Sequence, residues 1–445
     1  MEQKELKKTL GRSAAMATVV GCVIGSGVFF KPQAIYTATG GAPGLGVLAW
    51  LITGIMCVAA AMTFAEVAIL IPKTGGMVAY LEEAFGKKVG FLAGWMQTVL
   101  FYPAMIAALA VAFGQQAAIF VGDSATVPVA ILLVLFVVIL NNFGSDVGGR
   151  AQVLFTVCKL VPLFVLMIFG FLRGSGENPI LTPMVGEGLS VGSVLGQLMV
   201  SVLFAFDGWT NVGAVAGEMK NPAKDLPMAI VGGVSVISAI YLIINLAYLW
   251  VLPADVLQHE AAPAAAVAQV IFGDAGAKII SVGIMISVLG TTNGFTLAGS
   301  RVCYSLAARG DLPKSRLLAR LNRYAVPSGS LFLVGGLGCL YAISGQFNRL
   351  SDLAVFSCWI FYTLTFATVF VFRKQRPDET RAYRVPFYPV IPLVAIVSGC
   401  YVIINQLFLA GSTTTLLALV GIAVTLMGLP VYVGVHHCQK SDGKA

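Results

Sequence analysis

The chain has 445 residues, of which 58% are hydrophobic and only 11% are charged, and its mean hydropathy is +0.88. A soluble domain of that composition would have too little polar surface to face water, so the sequence indicates a protein that crosses a membrane several times. The formal net charge of +8 would suggest a nucleic-acid partner for a soluble protein, but here the distribution of the charges along the chain predicts topology instead.

Runs of about 20 apolar residues are long enough to cross a bilayer as helices. The sequence contains twelve of them, at residues 13–38, 44–70, 90–120, 127–143, 151–172, 192–217, 228–252, 275–306, 328–345, 351–372, 387–409 and 412–435. The polar start MEQKELKK leads into the first run without a small-residue cleavage site, so we expect no cleaved signal peptide. The predicted fold class is an all-α membrane protein with short loops and no nucleotide-binding domain.

Lysine and arginine residues predict which side of the membrane each loop faces. With both termini in the cytoplasm, 23 of the 28 lysines and arginines fall in inner segments. The outer side receives only Lys31, Arg173, Lys278 and Arg349, and Lys159 lies within a span. This bias supports an even number of spans and predicts cytoplasmic tails at residues 1–12 and 436–445.

The first span contains the stretch CVIGSGVFFKP, in which Gly25 and Gly27 flank Ser26 and Pro32 follows. Glycine is about 1 kcal/mol less favourable than alanine inside a helix. The pattern predicts a helix that is interrupted near the middle of the membrane, where its backbone N–H and C=O groups are free to bind a ligand. Close packing of the two glycines against a neighbouring helix is the alternative.

Lys159 in the fifth span lies nine residues after Arg150 and fourteen before Arg173. At 1.5 Å per residue it is about 13 Å deep in the helix, where a cation costs at least about 2.5–3.5 kcal/mol on insertion scales. We predict that its ammonium binds carbonyls freed in the first span. A purely structural ion pair with a carboxylate is the alternative.

The sixth span has a second interruption, at Phe206-Asp207-Gly208-Trp209. Interrupted helices five spans apart are typical of inverted repeats around a central binding site. We therefore expect one repeat over residues 13–172, a second over 192–372 and two further spans over 387–435.

The backbone groups of two interrupted helices suit a zwitterion such as an amino acid. We expect Gly25-Ser26-Gly27 to bind its carboxylate, through N–H groups at the start of the outer half-helix and the Ser26 hydroxyl. The ammonium would meet the backbone carbonyls of Val23, Phe204 and Asp207 in the two breaks.

Other polar and aromatic residues in the spans have two explanations each. Asp207 is either a proton-coupling carboxylate or a helix-end cap, and Phe206 and Trp209 either form a lid over the ligand or simply pack. Asn293, which follows Thr291 and Thr292, marks either a pocket in the eighth span or a helix contact. Glu66, near the inner end of the second span, is a candidate for a gate that contacts inner-loop arginines.

Several stretches resemble a known family when they are taken together and in order: VIGSGVFFKP, IPKTGGMVAYLEEAFG, FAFDGW, GEMKNP, and NG followed by SRVCYSLAARGDLP. They are similar to the L-amino-acid transporter branch of the amino acid, polyamine and organocation superfamily. The resemblance extends from about residue 8 to residue 435.

This resemblance implies a leucine-transporter-like fold of five plus five inverted spans, with helices 1 and 6 broken and two helices added at the end. It also implies alternating access and sodium-independent exchange of small neutral L-amino acids, such as serine, threonine or alanine, across the plasma membrane. In the site, it implies that Gly25-Ser26-Gly27 recognises the carboxylate and that the backbone of the sixth span meets the amino group. Lys159 would couple the substrate to the first helix, in the space where sodium-driven relatives hold a sodium ion.

The resemblance also bears on partners, because animal members of this branch attach to a glycoprotein heavy chain through a cysteine between spans 3 and 4. The corresponding stretch here, FVGDSATVP, has no cysteine, so we expect a self-sufficient bacterial form without a disulfide-linked heavy chain. We expect no metal, because the three histidines and eight cysteines form no ligand motif, and we also expect no cofactor and no nucleic-acid partner. The remaining alternatives are a proton-coupled symporter of the same fold and an amino acid sensor that does not transport.

Overall fold

The computed structural model describes residues 16, 19–21, 23–71, 76–210 and 221–442, with side chains described except at 145–158, 222–223 and 438–442. The predicted N-terminal tail at 1–12 and residues 211–217 of the sixth predicted span lie outside the described residues. The helices are α1 (Gly27–Ala38), α2 (Pro43–Leu70), α3 (Met77–Phe85), α4 (Lys87–Met96), α5 (Tyr102–Val121), α6 (Thr126–Asn142), α7 (Ser145–Arg173), α8 (Val191–Phe206), α9 (Pro222–Val251), α10 (Ala254–Leu257), α11 (Pro263–Ala308), α12 (Ser315–Leu318), α13 (Ser328–Ala342), α14 (Phe347–Gln375), α15 (Val390–Phe408), α16 (Ser412–Leu426) and α17 (Gly428–Asp442).

The predicted all-helical fold is confirmed for the part of the chain that the structure describes, which contains helices and turns but no strand. In that part, eight helical segments are long and apolar enough to cross a membrane, and α8 and α13 are shorter apolar helices. The predicted bounds of α2 and α6 agree with the structure to within about one residue, because both are single uninterrupted apolar runs. The arrangement of twelve spans in two inverted repeats of five stays a prediction.

The burial of the helices separates an interior group from a peripheral one. In the most apolar part of α14, 72% of the residues are buried. The buried share is only 28% in the segment Asp123–Asn142, which includes α6, and 17% in the segment Ser412–His437. The exposed side chains of the peripheral helices are large and apolar, as at Leu132 and Leu416. Such surfaces suit contact with lipid chains, while α14 belongs to the centre of the molecule.

One interruption that the apolar pattern did not reveal lies just before the eighth predicted span. Helix α11 begins at Pro263, twelve residues before the predicted start at residue 275, and its backbone bends at Gly273. Gly273 has φ 70° and ψ −175°, a conformation that residues with a Cβ rarely adopt. The apolar run identified only the segment after this bend, because hydropathy does not respond to one backbone angle.

A second local feature lies between α4 and α5, where residues Gln97–Phe101 form a π-helical turn. Pro103 follows and has no N–H to donate to the carbonyl of Val99, four residues earlier. The Tyr341 hydroxyl of α13 donates to that carbonyl instead, at 2.9 Å. A side chain from another helix therefore satisfies the acceptor that the proline leaves free.

Candidate functional site

The predicted interruption of the first span is present in the structure. Residues 19–21 and 23 are helical, Ile24, Gly25 and Ser26 are not, and α1 begins at Gly27. The Ser26 carbonyl accepts the N–H groups of Phe29 and Phe30 at 3.0 and 3.2 Å and so starts the new helix. The first N–H groups of any helix have no acceptor within it, and here they lie in the interior of the protein.

Ser26 occupies the cap position of α1 but does not cap it. Its side chain makes no capping hydrogen bond, is only 1% exposed, and leaves its Oγ atom without any hydrogen-bond partner. Leaving a buried polar group unpaired costs about 1–3 kcal/mol. A hydroxyl kept at that cost, beside free N–H groups and the positive end of a helix dipole, is suited to binding an anionic group.

The second predicted interruption, in the sixth span, is also present. Helix α8 ends at Phe206, Asp207 is extended with φ −67° and ψ 149°, and Gly208 has φ 113°. The Asp207 N–H donates to the Phe204 carbonyl at 3.3 Å, which makes the last bond of the helix. Asp207 is 6% exposed, and its Oδ2 atom has no hydrogen-bond partner.

The two breaks lie directly against each other. A Cβ atom added to Gly27 would lie 2.4 Å from the Cα atom of Ala205, so only glycine allows the start of α1 to approach the end of α8 so closely. On another side, a Cβ atom added to Gly25 would lie 3.0 Å from both Oγ1 and Cγ2 of Thr291 in α11. Close packing, the alternative explanation of the glycines, is therefore also present, and it brings the two open backbones together.

A tyrosine of α9, which sequence reasoning missed, joins the two breaks. The Tyr241 hydroxyl lies 2.9 Å from the carbonyl oxygen of Ala205 and 3.3 Å from that of Val23. A hydroxyl has a single proton, so Tyr241 donates to one of these carbonyls at a time. Both carbonyls therefore face the Tyr241 hydroxyl. The only signal in the sequence was a hydroxyl-bearing side chain within an apolar span.

Two of the three predicted acceptors for an ammonium group have contacts within the protein. The Val23 carbonyl lies before the first break and faces the Tyr241 hydroxyl, whereas the Phe204 carbonyl already accepts the Asp207 N–H. The Ala205 carbonyl, which was not among the predicted acceptors, lies closest to the tyrosine. Their contact with a substrate stays a prediction.

Lys159 of α7 is fully buried, and its Nζ atom donates to the Gly21 carbonyl. Gly21 belongs to the helical residues before the first break. A fixed cation at that point complements the negative end of the inner half-helix. The contact that the sequence predicted between Lys159 and the first span is therefore present.

The side chains of the predicted aromatic and pocket residues pack against neighbouring helices. Phe206 packs edge-on against Tyr241 at 5.2 Å, and Trp209 packs edge-on against Phe64 at the same distance. Asn293 accepts a hydrogen bond from Asn141 of α6 at 2.8 Å and so faces that helix. A lid or pocket role for Phe206, Trp209 and Asn293 stays a prediction.

Glu66 contacts inner-loop arginines, as expected. Both of its carboxylate oxygens accept hydrogen bonds from Arg373 of α14, at 2.9 and 2.8 Å, and Arg381 lies 3.5 Å away. The Val385 N–H donates to the same carboxylate at 2.7 Å. Burial, followed by the charge of Glu66, raises the pKa of the nearby Tyr383 to about 12 and keeps it neutral.

Sequence reasoning missed a second ion pair, at the predicted outer end, because it used Lys31 only to predict topology. Its side chain is fully buried, and its Nζ atom donates to Asp352 Oδ1 and to Ser351 Oγ of α14, each at 2.8 Å. The rings of Phe204 and Phe347 lie 5.1 and 5.3 Å from the ammonium. This pair ties α1 to α14 on one side of the breaks, and Glu66 ties α2 to α14 on the other.

Comparison with known proteins matches residues 10–430 to the family described as amino acid permease. The chain is 38% identical over 439 residues to the serine/threonine exchanger SteT of Bacillus subtilis, covering 98% of both chains. It is 28% identical to the b(0,+)-type amino acid transporter 1 of Mus musculus, covering 91% of this chain and 83% of the relative. It is also 27% identical to the Asc-type amino acid transporter 1 of Mus musculus, covering 97% and 82%.

Proposed function

The chain belongs to the amino acid permease family, and on this premise we propose that it is an antiporter of small neutral L-amino acids such as serine, threonine and alanine. It works without sodium, in the plasma membrane, and with both termini in the cytoplasm. The exchange activity in the name of its 38% identical relative supports the choice of substrate class. The proposed exchange requires no covalent chemistry.

The observation that carries the proposal is the unpartnered Ser26 hydroxyl at the start of α1. The substrate carboxylate binds this hydroxyl and the N–H groups of Gly25-Ser26-Gly27. The ammonium binds carbonyls of the two breaks, among them those of Val23, Phe204 and Asp207. Charge-assisted hydrogen bonds contribute about 1.5–3 kcal/mol each, which suits binding that must also reverse.

The position of Lys159 supports the proposed sodium independence. Its ammonium donates to the Gly21 carbonyl before the break, so the protein itself provides a cation at the negative end of this half-helix. A protein that carries this charge covalently does not need to load an ion before it binds substrate. Coupling between substrate and conformation then runs through Lys159 and the first break.

Transport proceeds by alternating access, in which one group of helices rocks against the others. The moving group consists of the first span with α1, together with α2, α8 and α9. Lys31 of α1 and Glu66 of α2 both bind α14, which lies outside this group. Opening toward the predicted outer side separates Lys31 from Asp352, and opening toward the inner side separates Glu66 from Arg373.

The chain functions without a heavy-chain subunit under this proposal. The loop between the third and fourth predicted spans contains Asp123–Ala125 as a short helical turn, and its sequence has no cysteine to form a link. Purified chain alone in liposomes is therefore sufficient for exchange.

Removing the Tyr241 hydroxyl weakens substrate binding. In Tyr241→Phe, the Ala205 and Val23 carbonyls lose their shared donor and are no longer held toward one point. The loss of one hydrogen bond of about 0.5–1.5 kcal/mol corresponds to a roughly threefold to tenfold increase in the Kd for serine. Isothermal titration of the purified protein measures this change.

Tyr248→Phe is the matched control, because Tyr248 lies on the same helix, is fully buried, and has a hydroxyl without any partner. The Kd of this variant for serine should stay within about twofold of the wild-type value. Equal effects in the two variants would show that loss of any buried hydroxyl is enough, and would remove the specific role of Tyr241.

The test of the proposed function is counterflow in liposomes that contain the purified chain in sodium-free buffer. Liposomes preloaded with unlabelled serine, threonine or alanine should accumulate labelled serine, and empty liposomes should take up far less. Addition of sodium should leave the rate unchanged. Equal uptake into empty and preloaded liposomes, or an absolute need for sodium, contradicts the proposal.

The environment of Asp207 favours a second candidate function, that of a proton-coupled symporter. Its carboxylate is buried in the second break with one oxygen unpartnered, where a proton could be carried together with the substrate. A symporter would load empty liposomes when the outside is made acidic, and Asp207→Asn would remove that response. An exchanger shows no uptake driven by the pH gradient alone.

A further inference from the structure

A polar hollow of about 190 Å³ lies at the predicted outer end of the molecule, between α8, α14, α15 and α16. Its polar walls include Gln197, Arg349, Asp352, Gln406, Thr413 and Thr414. We propose that this hollow binds the headgroup of phosphatidylethanolamine, a phospholipid with a phosphate and a free ammonium, from the outer leaflet of the membrane.

The surroundings of the hollow suit the chains of a lipid. Phe408 and Leu409 closely follow Gln406 at the end of α15, and Leu416 closely follows Thr414 in α16. All three of these apolar side chains are more than half exposed. The hollow lies where α14 and α16 begin and α15 ends, which is the predicted depth of the headgroups. A lipid whose chains lie along α15 and α16 therefore places its headgroup at the hollow.

One part of the hollow suits a phosphate. Gly411, the cap residue of α16, has no side chain that could cap the helix, and its carbonyl accepts the Thr415 N–H at 3.0 Å. The N–H groups of residues 412–414, which include two threonines that line the hollow, therefore have no acceptor within the helix. Arg349 is exposed in the same hollow and forms no ion pair with any described residue. A helix start and a guanidinium together suit a phosphate.

A buried amide is a second, independent indication of a ligand. Gln406 lines the hollow and is only 3% exposed. Its side chain makes no hydrogen bond with any described residue, because the Thr415 hydroxyl bonds to its backbone carbonyl and not to its amide. An unpaired buried amide costs free energy, and the oxygens of a phosphate ester satisfy its N–H groups.

Asp352 suits the ammonium of the same headgroup. Its Oδ1 atom accepts a hydrogen bond from Lys31, and its Oδ2 atom accepts none from any described residue. Asp352 lies three residues after Arg349, so the two side chains share one face of α14, yet they do not pair with each other. One free cation and one half-free anion on the same face match a phosphate and an ammonium that are joined by two carbon atoms.

The hollow also joins helices that move relative to one another under the proposed function. Gln197 belongs to α8, in the moving group, whereas the other polar lining residues belong to α14, α15 and α16. When the outer side opens, Lys31 leaves Asp352, and the ammonium of the lipid replaces the lost cation. Bound phosphatidylethanolamine therefore favours the outward-open state and raises the exchange rate. This consequence rests on the proposed function, and the binding site itself does not.

Native mass spectrometry of the purified full-length chain, freed of lipid in detergent, tests the site. The chain should bind phosphatidylethanolamine about tenfold more tightly than phosphatidylcholine, whose nitrogen has no proton to donate, or phosphatidylglycerol, which has no nitrogen. Arg349→Gln should raise the Kd for phosphatidylethanolamine about threefold to tenfold, a modest effect because Arg349 is exposed to water. Gln406→Leu should raise it about threefold. Arg316→Gln, which changes an exposed arginine on the predicted inner side, should leave it unchanged.

Three results would overturn the site. Equal affinity for the three lipids would show contact with lipid in general. Unchanged affinity in either Arg349→Gln or Gln406→Leu would place the headgroup elsewhere. Equally tight binding of O-phosphoethanolamine, which has the headgroup but no chains, would assign the hollow to a soluble phosphate ester.

Counterflow of labelled serine in liposomes tests the link to transport separately. Exchange should be roughly fivefold faster in phosphatidylethanolamine with phosphatidylglycerol than in phosphatidylcholine with phosphatidylglycerol, the lower end of coupling between two sites. Arg349→Gln should show the slower rate in both mixtures. Equal rates of the wild type in the two mixtures would overturn the link to outward opening. No exchange in any liposome, with phosphatidylethanolamine still bound, would contradict the proposed function and leave the site in place.

Discussion

Replacing Gly27 by alanine should lower amino acid exchange by about fivefold to a hundredfold, because overpacking a close contact costs about 1–3 kcal/mol. The new Cβ atom would lie 2.4 Å from the Cα atom and 2.6 Å from the Cβ atom of Ala205. These atoms are the backbone and the Cβ atom of an alanine, and no side-chain rotation can move them away. The start of α1 and the end of α8 must therefore separate, which misplaces the groups that we propose for both ends of the substrate.

Gly336→Ala is the matched control for this change. Gly336 lies within α13, and an added Cβ atom would meet nothing within 4 Å. Counterflow of labelled serine, normalised to the amount of monodisperse protein, compares the two variants. Full activity of Gly27→Ala would show that the two breaks do not need their close approach.

Replacing Lys159 by methionine should reduce exchange about tenfold to a hundredfold, which corresponds to the loss of a charged hydrogen bond of about 1.5–3 kcal/mol. The Lys159 ammonium is fully buried and donates to the Gly21 carbonyl, and methionine has similar length but no charge. The first break then loses the cation that holds its inner half. Serine counterflow without sodium measures the effect.

Lys278→Met controls for the loss of a lysine as such, because Lys278 is exposed on α11. It should keep the exchange rate of the wild type, and both variants should elute as folded protein. Normal exchange in Lys159→Met would assign Lys159 a structural role only and would remove the proposed reason for sodium independence.

The two breaks were predictable from sequence because glycine is costly in a membrane helix and two such segments occur five spans apart. The contact of Lys159 with the first span was predictable for a similar reason. A buried cation needs acceptors, and an interrupted helix is the nearest source of unpaired carbonyls. In both cases the free-energy cost of an unpaired polar or charged group limits the structures that the sequence can adopt.

The connections between distant helices could not be predicted in the same way. Whether Lys31 meets Asp352, or Asn293 meets Asn141, depends on the rotation of each helix and on which helix lies opposite. Tyr241 was missed because a tyrosine in an apolar span has many environments that suit it. These contacts depend on how the whole chain packs, and that packing cannot be deduced from a single sequence.

The central claim is that the opened backbones of the first and sixth spans hold both charged ends of the substrate. The most direct measurement is an experimental structure of the protein with bound serine. We predict the serine carboxylate within hydrogen-bond distance of the Ser26 Oγ atom and the Gly27 N–H, and its ammonium at carbonyls of the two breaks. Serine bound away from both breaks, with Ser26 still unpartnered, would contradict the account.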